Sequence, residues 1–80
     1  MKVDIVPPQL RAARALVDWS REELANRAAT TARTIARIEA GETAPRQSTL
    51  ETIRSALEAA GVEFIPENGG GAGVRLKKEE

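Results

Sequence analysis

Apolar positions along this chain recur first at helical spacing and then, near the end, in short alternating runs. Leu10, Ala13, Leu16 and Val17 share one helical face, so a first helix is expected over residues 9–17, with Arg11 and Asp18 toward solvent. Pro7 and Pro8 suit its entry, because an amide hydrogen there has no intrahelical partner to lose. Leu24, Ala25 and Ala28 form the inward face of a second helix, opened by Ser20 and Glu23 at capping-box spacing. After a break at residues 29–31, Thr31 caps a third helix with Ile35 and Ile38 inward, and Gly41 supplies the left-handed residue that ends it. Ser48 and Glu51 repeat the capping-box spacing ahead of Leu50, Ile53 and Leu57, giving a fourth helix that Gly61 stops.

Beyond Gly61 the period changes. Val62-Glu63-Phe64-Ile65 and Val74-Arg75-Leu76 have strand character, and the glycine-rich stretch 68–73 between them predicts a hairpin with a loose loop. Val3 and Ile5 alternate with charged residues and suggest a further short strand. The expected class is mainly α, four helices around one core with a short C-terminal β-hairpin.

Composition narrows the chemistry. Eighty residues at 41% hydrophobic content support one small core. Cysteine and histidine are absent, which removes disulfides, thiolate or imidazole metal sites and Ser-His or Cys-His nucleophilic pairs. Carboxylates are plentiful but fall at caps and solvent faces, so no catalytic residue, cofactor or metal site is expected. No run reaches the roughly 20 apolar residues of a membrane span, and MKVDIVPPQL lacks the apolar stretch of a secretory signal, so a cytoplasmic protein with no membrane partner is expected. Twelve basic and twelve acidic side chains cancel, so any affinity for nucleic acid must come from where the charges sit.

They sit in a telling place. Two short helices joined by an abrupt break, the second with Arg33 and Arg37 on its open face, have the layout of a DNA-reading helix-turn-helix over residues 20–40. Small side chains at Ala25, Ala28 and Ala29 let the two helices cross closely. The segments WSREELA, TTARTIARIEAG and ETAPRQSTL, taken together, make residues 10–60 resemble the Cro and phage-repressor type of helix-turn-helix, the xenobiotic-response-element family of bacterial regulators. That resemblance implies a four-helix, lambda-repressor-like domain over residues 1–61. Residues 62–80 then form a strand-loop-strand extension and tail.

The resemblance also implies a site. The third helix would lie in the major groove with Ala32, Arg33, Thr34 and Arg37 toward base edges, while Arg21, Thr31 and Arg46 would touch phosphates. Arginine forks onto guanine O6 and N7, and threonine and alanine methyls touch thymine, so G·C pairs opposite Arg33 or Arg37 with a flanking T are expected. For Thr31 capping comes first, and for Arg46 a plain solvated arginine is the competing account. By the same resemblance Arg14 pairs with Glu39 as a structural ion pair. Two departures stand out: Ala29 replaces the usual turn glycine, where a left-handed alanine costs on the order of 1 kcal/mol, so either the turn absorbs that strain or its geometry differs and shifts Arg33 relative to the groove, and Ala32 replaces a long polar side chain. Trp19, just ahead of the Ser20 cap, suits hydrophobic stapling of the second helix better than base stacking.

The function expected is a sequence-specific transcription regulator of repressor type, binding a palindromic operator in double-stranded DNA as a homodimer. One helix-turn-helix covers few base pairs, and half-sites lie about 34 Å apart. The terminal strands would supply the dimer surface, since a lone hairpin exposes edges that can pair with another copy. The alternatives are that the hairpin folds back on the fourth helix to bury Phe64, or that residues after Pro66 are flexible. The GGGAG stretch lacks the Lys-Ser or Lys-Thr of a phosphate-binding loop. A second function class is an antitoxin or similar module whose main partner is another protein, a toxin.

Overall fold

Two prolines set the start of the first helix. A computed structural model describes residues 4–78 of the chain, and in it α1 (Pro7–Val17) begins at the prolines themselves, ahead of the expected residue 9. α2 (Arg21–Arg27), α3 (Ala32–Glu39) and α4 (Gln47–Ala59) follow, then β1 (Val62–Ile65) and β2 (Gly73–Leu76). The architecture is the mainly helical one that the apolar pattern predicts, four helices with an antiparallel two-stranded hairpin.

The helix ends show which local signals the chain uses. Ser20 caps α2, its hydroxyl accepting the Glu23 amide at 3.0 Å. The reciprocal half of the box is not made, because the Glu23 carboxylate turns to Arg27 one turn on, at 2.7 Å. The capping box expected at Ser48 is also absent. α4 begins at Gln47 as soon as the chain clears the extended Arg46, so Ser48 falls inside the first turn and caps nothing. Gly41 (φ 72°) ends α3 in the left-handed region as expected.

The tight turn between α2 and α3 is carried by Ala29, which adopts φ 55° without being glycine. Ala28 and Ala25 beneath it are buried, and the Thr30 amide returns to the Ala25 carbonyl at 2.9 Å. The turn therefore keeps the tight left-handed geometry and carries the strain of a Cβ in that region.

Ile5, Leu10, Ala13, Leu24, Ala25, Ala28, Ile35, Ile38, Ile53, Leu57, Val62 and Phe64 form one core. Leu16, expected inward, is 39% exposed, and Gln9 and Ile5 are buried on the α1 side instead. Ile5 is a core residue in irregular chain, not a strand residue, and Val3 lies outside the described residues.

The hairpin folds back on its own chain, as one of the alternatives held, and it does so against α1 as well as α4. Val62 pairs with Leu76 and Phe64 with Val74, placing Val62 and Phe64 in the core. On the outer face Arg75 bonds Glu63 across the strands at 2.7 Å, which holds the Glu63 carboxyl below its usual range. Gln9 locks the assembly. Its Oε1 accepts the Val6 amide at 2.9 Å, while its Nε2 donates to the Ile65 and Gly73 carbonyls at 3.1 and 3.0 Å. The glycine-rich loop is closed by Glu67, whose Oε1 accepts the Gly69 and Gly71 amides at 2.8 and 3.0 Å.

Removing the Cβ at Ala29 should relieve the turn. Ala29→Gly is expected to stabilise the protein by about 1 kcal/mol, read as a higher urea midpoint at unchanged slope; a midpoint that stays or falls would show that the turn holds no strain.

Candidate nucleic-acid interface

α3 has two unlike faces. Ile35 and Ile38 are buried against the core, whereas Arg33 and Arg37 on the other side are exposed and Ala32 and Thr34 are half-buried beside them. The helix starts at Thr31, whose Oγ1 accepts the Thr34 amide at 3.1 Å and lies 3.0 Å from the Thr34 hydroxyl. The two hydroxyls share one hydrogen between them, so one O–H of the pair remains to donate outward. Arg46 stands exposed at the cap position of α4, after the loop that leaves α3.

The opposite end of α3 is anchored by a buried charge. The Glu39 carboxylate is 1% exposed and accepts Arg14 Nε at 2.6 Å and Arg14 Nη2 at 3.0 Å, so the expected Arg14–Glu39 pair is present. Arg14 also donates Nη1 to the Trp19 carbonyl at 2.8 Å. Arg21 reaches the same carboxylate from α2, Nε to Oε1 at 3.1 Å, while its side chain stays 47% exposed. Arg11 is exposed, as its place on α1 leads one to expect, and it also donates to the Glu39 carbonyl. Burial pushes the Glu39 carboxyl up, but the hydrogen bonds and charges of Arg14 and Arg21 outweigh it and hold the group below the usual carboxylate range. The hydrogen bond to Glu39 raises Arg14 in turn.

Sorting the arginines by partner separates scaffold from surface. Arg11, Arg14, Arg21, Arg27, Arg54 and Arg75 each donate to a carboxylate or carbonyl of the protein. Arg33, Arg37 and Arg46 donate to none among the described residues, and they sit on α3 and at the α4 cap. Sequence reasoning missed the Arg11 and Arg21 contacts with Glu39. The signal available for Arg11 was its place three residues before Arg14, on the same side of α1. Trp19 is half-buried against the core, and the Arg27 guanidinium lies 4.5 Å from the centroid of its ring. That position suits stapling of α2.

Among the described residues no group of three or more carboxylate, histidine or cysteine side chains could hold a metal ion, and no helix is long and apolar enough to cross a membrane. A short helix pair with a left-handed turn, backed by two further helices and presenting cations on its second member, defines a DNA-binding helix-turn-helix regulator. A family model described as helix-turn-helix matches residues 10–63. The chain belongs to that family, the xenobiotic-response-element group of Cro and phage-repressor type, whose domains bind DNA and are not enzymes. None of the curated proteins compared with the chain matches it.

Glu39 should govern the acid stability of this arrangement. Its depressed pKa stabilises the fold above the unfolded carboxyl value of about 4.3, and that contribution is lost as pH falls through the lower folded value. Glu39→Gln should cost about 3 kcal/mol at pH 7, by leaving Arg14 without its counter-charge. The gap between variant and wild type in denaturant titrations should then narrow below about pH 4. A gap that is constant with pH would contradict the role given to the carboxylate.

Proposed function

We propose that the protein is a transcriptional repressor that binds a palindromic operator as a homodimer, with α3 in the major groove. Ala32, Arg33, Thr34 and Arg37 meet base edges, and Arg21, Thr31 and Arg46 meet phosphates. The observation that carries this reading is the position of the arginines without internal partners, on the exposed face of α3 and at the α4 cap. A protein of zero formal net charge gains no general attraction to DNA, so a local cluster of unneutralised cations is the feature that matters. Residues 1–61 serve as the reading unit in this account. The strand-loop-strand segment 62–80 serves assembly.

The dimer surface in this account is the outer edge of β2. The Lys77 amide bonds the Gly61 carbonyl at 2.7 Å in a ladder where Val62 faces Leu76. That phase turns the backbone groups of Val74 and Leu76 away from β1. Among the described residues nothing bonds that edge, and Leu76 beside it is 48% exposed. Pairing with the same edge of a second copy would satisfy both.

Two experiments test these points. Selection from a randomised duplex pool should enrich one palindrome with G·C pairs opposite Arg33 or Arg37. Arg33→Ala and Arg37→Ala should each weaken binding by about 1–3 kcal/mol and relax preference at one position per half-site; no enrichment by folded wild type would sink the specific repressor. In sedimentation, the wild type should run as a dimer and Leu76→Pro as a monomer, because proline removes an outward amide while sparing the ladder to β1. A monomeric wild type would remove β2 as the interface.

A further inference from the structure

Glu39 receives more cations than it can neutralise. One buried carboxylate takes two guanidiniums, Arg14 through two nitrogens and Arg21 through Nε alone. Arg14 is largely buried and spends its remaining Nη1 on the Trp19 carbonyl, so it has little left to offer outside the protein. Arg21 differs. Its side chain is 47% exposed, and its two terminal amines have no acceptor among the described residues. The cluster therefore keeps an excess positive charge, and that charge lies on the half-exposed Arg21.

We propose that Glu39 is a positioning residue for contact with the DNA backbone: by holding Arg21 at Nε it fixes the guanidinium plane and leaves both terminal amines as a fork for one phosphate. This rests on the DNA-binding reading above and adds a role that the sequence does not suggest for Glu39. Bidentate contact with a phosphate needs a planar fork in a set orientation, and a side chain pinned at its inner nitrogen has already lost most of the freedom that binding would otherwise freeze. The same carboxylate closes α3, so the phosphate contact made from α2 is tied to the helix that enters the groove. Arg21 is thus both a scaffold partner and a contact residue.

The test compares wild type, Arg21→Gln, Arg21→Lys and Arg33→Ala. Binding is measured on the pool-selected duplex and on an unrelated duplex of equal length, over a series of salt concentrations. The Arg21 variants keep the Arg14–Glu39 pair, and a thermal melt confirms that each is folded. Arg21→Gln should weaken binding to both duplexes by a similar factor, about three- to tenfold, and reduce the salt slope by about one. Arg21→Lys keeps the charge but cannot engage Glu39 through an inner nitrogen while presenting a fork, so it should recover only part of that loss. An unchanged salt slope in Arg21→Gln would overturn the phosphate contact, and full recovery in Arg21→Lys would overturn the positioning by Glu39. Both failures leave the Arg33→Ala loss in place; wild type that binds neither duplex overturns the DNA-binding reading and this role with it.

Discussion

One buried carboxylate sets the geometry of this domain. Glu39 closes α3, draws in Arg14 from α1 and Arg21 from α2, and through its carbonyl holds Arg11. α3 is 8 residues long, far below the length at which a helix persists alone in water, so its shape and direction come from what it packs on. A buried ion pair is a weak source of net stability, because desolvation offsets most of the attraction. Its value here is directional: three helices are fixed about one point at the end of α3 away from its Thr31 cap.

The apolar contacts do the complementary work. Ala25 and Ala28 bring α2 and α3 close, Ile35 and Ile38 anchor the inner side of α3, and the left-handed Ala29 sets the angle between the helices. With those side chains committed to the core, Arg33 and Arg37 have nowhere to go but outward. Gln9 extends the same logic to the C-terminal hairpin, since its amide joins α1 to both strands and brings Val62 and Phe64 into the common core. The proposed DNA-reading surface and the proposed assembly edge are therefore built on one rigid centre.

Most of the fold was legible in the sequence because helical periodicity is a strong signal. Leu24, Ala25 and Ala28, Ile35 and Ile38, and Leu50, Ile53 and Leu57 all point inward as their spacing requires. At Ala29 the missing glycine left two outcomes open, a strained left-handed turn or a turn of different geometry, and the positive φ of 55° selects the first. What the sequence hid was polar. Gln9 lies four residues before Ala13 on the buried stripe, yet a glutamine there reads as surface until its partners, Ile65 and Gly73, are known. Arg11 and Arg21 are solvent-facing cations as their positions suggest, but their contacts with Glu39 were hidden for the same reason, because the acceptor is supplied by a distant segment. Ser48 shows the reverse error: the spacing to Glu51 matches a capping box, but the helix starts two residues earlier, with Arg46 at the cap position, and the local signal is overridden. Arg33, Arg37 and Arg46 were legible as cations near the motif, while their lack of internal partners needed the structure.

The central claim is that the exposed face of α3 meets duplex DNA. The most direct measurement is the change in backbone amide resonances of isotope-labelled protein when a duplex carrying the selected site is added. Shifts concentrated at residues 31–37, at Arg46 and at the start of α2, with α4 and the hairpin ladder little changed by the DNA itself, would bear the account out. Shifts confined to the hairpin, or none at concentrations where the protein is folded, would contradict it.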